Sequence, residues 1–208
     1  MDHMGGLVTD YGVALRTSDI PWVSKQLWAP DAASKSGKYF LYFPARDKNV
    51  ADTPVGPFVP EENHIPGSCS IDPAVFVNKP GGEQTSEGAD GKAYIYFGGL
   101  WGGQLQCWVR PTADSDKEKT DANGYIFDDS QSGPQEPSGP GVPALCPRIA
   151  QLSDDMRGFV SPAREIQILA PETGKPTAAE NHERRFFEAA WLHGYRGLYY
   201  LSYSTGDT

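Results

Sequence analysis

Short runs of aromatic and β-branched residues, separated by glycine-containing turns, dominate the pattern of apolar and polar positions in this chain. Three of these runs share one order, in which an acidic residue is followed by small residues, a turn with glycine and an aromatic strand. The three acids are Asp31, Asp72 and Glu188, and the aromatic strands lie at residues 39–43, 94–97 and 198–203. Aromatic clusters between glycine-rich turns are typical of β-strands, so each unit is predicted to be a strand, a turn and a strand.

Recurrence of one such unit at intervals of tens of residues indicates a repeat architecture. Several antiparallel units arranged radially form a β-propeller, so the predicted fold class is an all-β propeller. It forms one domain over residues 1–208, with polar surface loops at 78–90 and 111–144. If each acid starts the innermost strand of its blade, the three carboxylates point into one central pocket. The alternative for any one acid is a bond to turn amides, which Asp often makes.

Glu188 stands in an unusual setting for a carboxylate, within the run Phe186-Phe187-Glu188-Ala189-Ala190-Trp191. A carboxyl group among aromatic and small apolar residues is expected to be partly desolvated, and desolvation raises its pKa. A raised pKa is what a general acid needs near neutral pH. The alternative is an edge-strand glutamate that faces water.

Charge and hydropathy narrow the range of partners. The formal net charge is −9 and the pI is near 4.9, which argues against nucleic acid, because phosphate binding needs a basic face. Neutral sugars are indifferent to that charge. There is no run of eighteen apolar residues, so no membrane span is predicted. Residues 1–4 have neither the basic nor the apolar region of a signal peptide, and the compartment stays unassigned.

The cysteines and Trp101 can each be interpreted in two ways. The three cysteines Cys69, Cys107 and Cys146 have no metal-type spacing, and we expect free thiols, with one disulfide and one spare cysteine as the alternative. Trp101 lies among glycines at residues 98–103, where the backbone could approach a ligand and present the indole. Trp101 is therefore either a platform for a sugar ring or a cover for a blade edge.

Four stretches, taken in order, carry a family resemblance. They are Trp28-Ala29-Pro30-Asp31 with Gly37-Lys38-Tyr39, Ser70-Ile71-Asp72-Pro73-Ala74 with Gly91-Lys92-Ala93-Tyr94, the glycine-flanked Trp101, and Phe187-Glu188-Ala189-Ala190-Trp191. Together they resemble glycoside hydrolase family 43, which comprises β-xylosidases, α-L-arabinofuranosidases and arabinanases. The resemblance covers nearly the whole chain apart from the two loops.

The resemblance implies a five-bladed β-propeller that hydrolyses glycosidic bonds of xylo- or arabino-oligosaccharides with inversion and requires no cofactor. Glu188 matches the general acid of the family. Asp72, followed by Pro73, matches the acid that adjusts the pKa of the general acid and orients it. The residues expected to line or support the substrate pocket are an acid and three tryptophans: Asp31, Trp28, Trp101 and Trp191.

The general base has no match in the chain. Inverting glycosidases hold the acid and base carboxylates roughly 6.5–9.5 Å apart, which leaves room for the attacking water. The base of the family is an Asp-Pro aspartate ahead of the first hairpin, and the only Asp-Pro here is Asp72-Pro73. Asp2 and Asp10 lack that context, so neither is assigned as the base.

Other departures concern strands and metals. The resemblance implies further strands at both ends, so we expect an incomplete propeller of about three blades. The blade before Asp52 is expected to lack a strand, and residues 166–169 are predicted to form one. Family members often hold a calcium or sodium ion near the propeller axis. No metal ligand is assigned here, and His193 is expected on a blade turn.

Three functions therefore compete at the level of the sequence. The first is a β-xylosidase or α-L-arabinofuranosidase. The second is a sugar-binding propeller that lacks a base but keeps its tryptophans. The third, weaker, is a propeller for protein contacts, suggested by the fold class and the loop at 111–144. The identity of the sugar is not encoded in these motifs.

Overall fold

The computed structural model describes residues 12–20, 23, 27–44, 47–51, 59–79, 90–100, 107–109, 126–127 and 139–206. Antiparallel β-strands dominate its regular structure, which confirms the predicted all-β class; a 3-10 turn spans Thr17–Asp19. The strands are β1 (Asp31–Lys35), β2 (Lys38–Phe43), β3 (Asp47–Ala51), β4 (Val59–Pro60), β5 (Ala74–Val77), β6 (Ala93–Phe97), β7 (Trp108–Val109), β8 (Ile126–Phe127), β9 (Arg148–Gln151), β10 (Arg164–Glu165), β11 (Glu188–Tyr195) and β12 (Leu198–Ser204).

The strands form two four-stranded sheets and two strand pairs. The first sheet has the order β1-β2-β3-β4 and the second the order β10-β9-β6-β5, while β11 pairs with β12 and β7 with β8. The expectation that a strand is missing before Asp52 is wrong, because β3 pairs with β2 along its whole length. The prediction of a strand at residues 166–169 is also wrong, since β10 ends at Glu165.

Two-residue turns close the hairpins that the sequence predicts. Lys35 faces Lys38, and the intervening Ser36 and Gly37 have φ of 53° and 76°. Tyr195 faces Leu198, and Arg196 and Gly197 have φ of 48° and 79°. Positive φ at both turn positions gives the twist that antiparallel strands need, and glycine adopts it at no steric cost.

The hydrophobic core lies between consecutive sheets. Phe40 of β2, Ile95 and Phe97 of β6, and Leu152 belong to one buried cluster that joins the first sheet to the second. A second buried cluster joins the second sheet to the β11–β12 hairpin and includes Phe186. Each large apolar side chain buried in this way contributes about 1.5–3 kcal/mol to folding. The sheets are therefore stacked face against face in chain order.

Each of the three acids lies at, or just before, the first residue of an edge strand. β1, β5 and β11 are each an edge strand, and β5 lies beside both β1 and β11. Asp31 and Glu188 are the first residues of β1 and β11, and Asp72 lies two residues before β5. The predicted placement of the three acids at the starts of three inner strands agrees with the structure.

A hydrogen bond ties the first sheet to the inner strand of the second. The backbone N–H of Val75 donates to Oδ2 of Asp31 at 2.6 Å. Val75 lies on the edge strand β5, so this amide finds its acceptor outside its own sheet. The carboxylate of Asp31 thus fixes β1 beside β5, three residues after Asp72.

The expectation of three free thiols is wrong. Cys69 and Cys107 form a disulfide, with Cα atoms 6.2 Å apart, and Cys146 is buried and outside this disulfide. The alternative of one disulfide with one spare cysteine is the arrangement found.

The predicted surface loops lie mostly outside the described residues, and their extent stays a prediction. Asn78 and Asp90, at the two ends of the first loop, are hydrogen-bonded to each other at 3.1 Å. Within the second, Ile126–Phe127 pairs with Trp108–Val109, and Ala144 is buried. His193 lies within β11, not on a turn, and stacks between Trp191 and Tyr200.

We expect Asp31→Ala to lower the free energy of unfolding by about 1–3 kcal/mol, because the part-buried amide of Val75 would lose its acceptor. The measurement is urea unfolding followed by circular dichroism at pH 7. Asp154→Ala is the matched control, since Asp154 is fully exposed and its ion pair with Lys35 lies at the surface. Equal effects of the two substitutions would contradict the proposed inter-sheet role of Asp31.

Candidate active site

The loop that carries Asp72 is held against the end of β6. Gly98 N–H donates to the carbonyl of Ile71 at 2.9 Å, and Gly99 N–H donates to Oγ of Ser70 at 3.2 Å. Asp72 has a left-handed φ of 53°, which Asp adopts more readily than most residues. The side chain is therefore aimed by the backbone conformation just before Pro73 and β5.

The backbone around Glu188 is held on both sides. Phe187 N–H donates to the carbonyl of Ser204 at 2.9 Å, and Oγ of Ser204 donates to the carbonyl of Glu188 at 3.1 Å. On the other side, Glu188 forms an antiparallel bridge with Gly99. The same glycine segment therefore contacts the loop of Asp72 and the strand of Glu188.

A β-bulge follows Glu188 and brings the two acids together. The pairing of β11 with β12 shifts between Glu188 and Trp191, and Ala189 has a left-handed φ of 58°. The backbone N–H of Ala189 donates to the carboxylate of Asp72. The residue next to Glu188 in the chain is thus bonded directly to Asp72.

Burial and charge shift the titration of both acids. Burial raises the pKa of Asp72, and the hydrogen bond from Ala189 acts in the opposite direction. Burial also raises the pKa of Glu188, and the negative charge of Asp72 raises it further. A carboxyl group that is desolvated beside a second carboxylate keeps its proton to higher pH. Glu188 therefore has the electrostatic setting of a proton donor.

The other residues predicted for the site differ in their exposure and in their contacts. Asp31 accepts the Val75 amide, as described above. Trp28 is 51% exposed ahead of β1, and Trp191 is 53% exposed on the face of the β11–β12 hairpin that does not pack on the second sheet. Trp101 lies outside the described residues. A role in sugar binding for these four residues stays a prediction.

The described ranges do not supply a metal site. Within them, no group of three or more His, Cys, Asp or Glu side chains is arranged to hold a metal ion. The described residues therefore supply no carboxylate or histidine cluster for the calcium or sodium ion expected near a propeller axis.

Sequence reasoning missed two elements of the site. The first is the amide of Ala189, which carries no side-chain signal. The second is the disulfide of Cys69, three residues before Asp72; three cysteines allow a pair but do not say which. The raised pKa of Glu188, by contrast, agrees with the direction expected from its aromatic surroundings.

The curated proteins that resemble this chain are named as xylosidases or arabinosidases. No family model matches the chain. Xylosidase/arabinosidase 43A of Humicola insolens is 59% identical over 209 residues, covering 97% of this chain and 57% of the relative. A xylosidase/arabinosidase of Bacteroides ovatus is 45% identical, covering 100% of this chain and 57% of the relative.

Solved structures extend the likeness to the fold. A family 43 β-xylosidase/α-arabinofuranosidase from a compost metagenome, in a calcium-free complex with xylotriose, has a TM-score of 0.80 and 48% identity, covering all of this chain and 58% of its own. Over its whole length, the chain is similar to enzymes of glycoside hydrolase family 43. A family 43 enzyme of Xanthomonas citri, complexed with xylotriose, matches this chain with a TM-score of 0.78 and 44% identity, covering 100% of this chain and 57% of its own.

The family 43 neighbours are β-propellers, and the described sheets match part of that fold. The two four-stranded sheets are blades, and β11–β12 is the inner hairpin of a third. The chain spans about 57% of the length of the curated relatives it matches. In the described part of the chain, no helix has the length and hydropathy to cross a membrane.

We expect Asp72→Asn to lower the pKa of Glu188, because asparagine removes the neighbouring charge and keeps an acceptor for the Ala189 amide. The measurement is the pH titration of the Glu188 carboxyl carbon by nuclear magnetic resonance. Asp154→Asn, which removes an exposed charge remote from Glu188, should leave that pKa unchanged. An unchanged Glu188 pKa in Asp72→Asn would mean that the two carboxylates are not coupled.

The same variant should change the pH dependence of stability. Both acids bind a proton more tightly in the folded chain than in the unfolded chain, because both folded-state pKa values are raised. Their contribution is therefore lost as the pH rises past the ordinary values of 3.8 and 4.5 and through the raised ones. Relative to the parent chain, Asp72→Asn should gain stability between about pH 4 and pH 7, as measured by thermal unfolding.

Proposed function

We propose that this family 43 propeller hydrolyses O-glycosidic bonds in xylan- or arabinan-derived saccharides, as a β-xylosidase or α-L-arabinofuranosidase, with inversion. The observation that carries the proposal is the pairing of Glu188 with Asp72, in which burial and a neighbouring charge raise the pKa of Glu188. The names of the relatives, xylosidase/arabinosidase, support the choice of substrate class.

In the proposed mechanism, Glu188 is the general acid. Its carboxyl proton passes to the glycosidic oxygen as the bond from that oxygen to the anomeric carbon breaks. Asp72 is proposed to act in its charged form, which the Ala189 amide stabilises, although burial raises the pKa of Asp72 overall. The charge of Asp72 then disfavours ionisation of Glu188 and keeps the proton in place until the leaving oxygen takes it.

Inversion requires a second carboxylate that activates water on the opposite face of the sugar, roughly 6.5–9.5 Å from the acid. We assign this base to no described residue. Asp31 is proposed to support the pocket through its bond to Val75, without contact with the reacting atoms.

The proposed substrate is a short, neutral oligosaccharide. Two related family 43 structures were determined as complexes with xylotriose. Exposed indole rings stack on the apolar faces of sugar rings, and Trp28 and Trp191 present such rings. The reaction as proposed needs no cofactor.

We expect Glu188→Gln to lower kcat/KM for xylobiose by about 10²–10⁴-fold, because a sugar leaving group needs a proton. The loss for p-nitrophenyl β-xyloside or α-L-arabinofuranoside should be smaller, since nitrophenolate leaves without protonation. Steady-state kinetics on both kinds of substrate measure the difference. Glu183→Gln is the matched control, as Glu183 is an exposed acid in the segment before β11.

The two kinds of substrate separate the outcomes. If Glu188→Gln lowered kcat/KM equally for xylobiose and for the nitrophenyl substrates, Glu188 would not be the general acid. Release of α-xylose from a β-xyloside, observed by proton resonance early in the reaction, would support inversion. Release of β-xylose would contradict it.

The second candidate function is a sugar-binding propeller without catalysis, favoured by the lack of an assigned base and by the exposure of Trp28 and Trp191. It predicts that xylotriose changes the intrinsic tryptophan fluorescence of a chain that does not turn over any of these substrates. Trp191→Ala should reduce that change. Fluorescence that stays flat during titration with xylo- and arabino-oligosaccharides would exclude this alternative.

A further inference from the structure

We infer that the Cys69–Cys107 disulfide is a positioning element of the candidate active site, which fixes the loop of Asp72 against the segment that carries Glu188. The inference rests on the proposed function in one respect, namely that the geometry of this pair matters for Glu188 as an acid. The crosslink itself and its effect on the two carboxyl groups are tested without measuring catalysis.

The position of the disulfide in the chain is the first argument. Cys69 lies three residues before Asp72, in the segment between the turn at residues 65–68 and β5. Two hydrogen bonds, from Gly98 to Ile71 and from Gly99 to Ser70, hold this segment to the end of β6. The disulfide adds a covalent tie at the N-terminal end of this segment.

The surroundings of the disulfide are the second argument. Cys107 belongs to a buried cluster with Leu100, Trp108 and Leu145, against which Cys69 and Phe187 pack. Phe187 directly precedes Glu188, and its carbonyl accepts the N–H of Leu100 at 2.7 Å. One cluster therefore supports both acids, and the disulfide joins the Asp72 side covalently to it.

The backbone of the two bonded residues is the third argument. Asp72 and Ala189 both have left-handed φ, at 53° and 58°. Non-glycine residues stay in this sparsely populated region only when their surroundings determine it. Without the crosslink, Asp72 is expected to relax toward an extended conformation and to move its carboxylate away from the Ala189 amide. Because Coulomb repulsion weakens with distance, the effect of Asp72 on Glu188 should then shrink.

The test compares the parent chain with the double variant Cys69→Ala/Cys107→Ala, with and without Asp72→Asn, by resonance titration of the Glu188 carboxyl carbon. We expect the double variant to lower the pKa of Glu188. We also expect Asp72→Asn to have less than half its usual effect on that pKa once the crosslink is gone, as a thermodynamic cycle measures. Cys146→Ala, which replaces the other buried cysteine, should leave the effect of Asp72→Asn intact.

If the double variant does not fold, reversible reduction of the disulfide in the parent chain provides a second test. Dithiothreitol reduces the disulfide to two thiols and is itself oxidised to its cyclic disulfide, a transfer of two electrons and two protons. The amide signals of Asp72 and Ala189 should shift on reduction and return on reoxidation, while those of the first sheet stay in place. Loss of all native signals on reduction would show a general structural role and overturn the inference.

Two further results would overturn it. Alkylation of Cys69 and Cys107 before reduction, detected by mass spectrometry, would show that the crosslink is absent. An undiminished effect of Asp72→Asn in the double variant would show that the crosslink does not position Asp72. Failure of Glu188→Gln to slow hydrolysis would contradict the proposed function alone, since none of these readouts depends on turnover.

Discussion

The hydrogen bond from the Ala189 amide to the Asp72 carboxylate is the contact on which the candidate site depends. It joins the second blade to the inner hairpin of the third at the point where both acids emerge. It requires left-handed backbone at both residues, and for Ala189 this is supplied by the bulge after Glu188. The bond places a negative charge beside Glu188, and that charge, added to burial, raises the pKa of Glu188.

The rest of the fold serves to hold three strand starts together. Aromatic and aliphatic side chains pack between consecutive sheets, and the inner strands β1, β5 and β11 follow one another as neighbours. Asp31 contributes through the Val75 amide, while the disulfide cluster supports the Asp72 loop and Phe187 from the other side. Hydrophobic packing determines how closely the sheets lie together, and a few hydrogen bonds together with the disulfide determine the positions of the carboxylates.

The sequence predicted the hairpins and the acids at their starts because aromatic strands and two-residue glycine turns are local signals. It did not predict β3, since Asp47–Ala51 is polar and becomes a strand by pairing with β2 and β4. Residues 166–169 have strand-like composition, yet the tertiary pairing is made by Arg164–Glu165. The amide of Ala189 and the choice of disulfide partners depend on contacts between distant segments, which a single sequence does not encode.

The two carboxyl groups are not equivalent, and the difference decides which one holds a proton. Burial raises the pKa of both, but only Asp72 accepts a backbone hydrogen bond that opposes the rise. The hydrogen bond from Ala189 stabilises the charged form of Asp72, and the charge of Asp72 raises the pKa of Glu188. Both raised pKa values lower the stability of the folded chain at neutral pH. The fold favours the protonated form of each carboxyl group, whereas the unfolded chain at that pH holds the ionised form. A fold that keeps this cost fits a proton donor better than it fits carboxylates in structural salt bridges, because a neighbouring cation would have lowered the pKa of each carboxyl group.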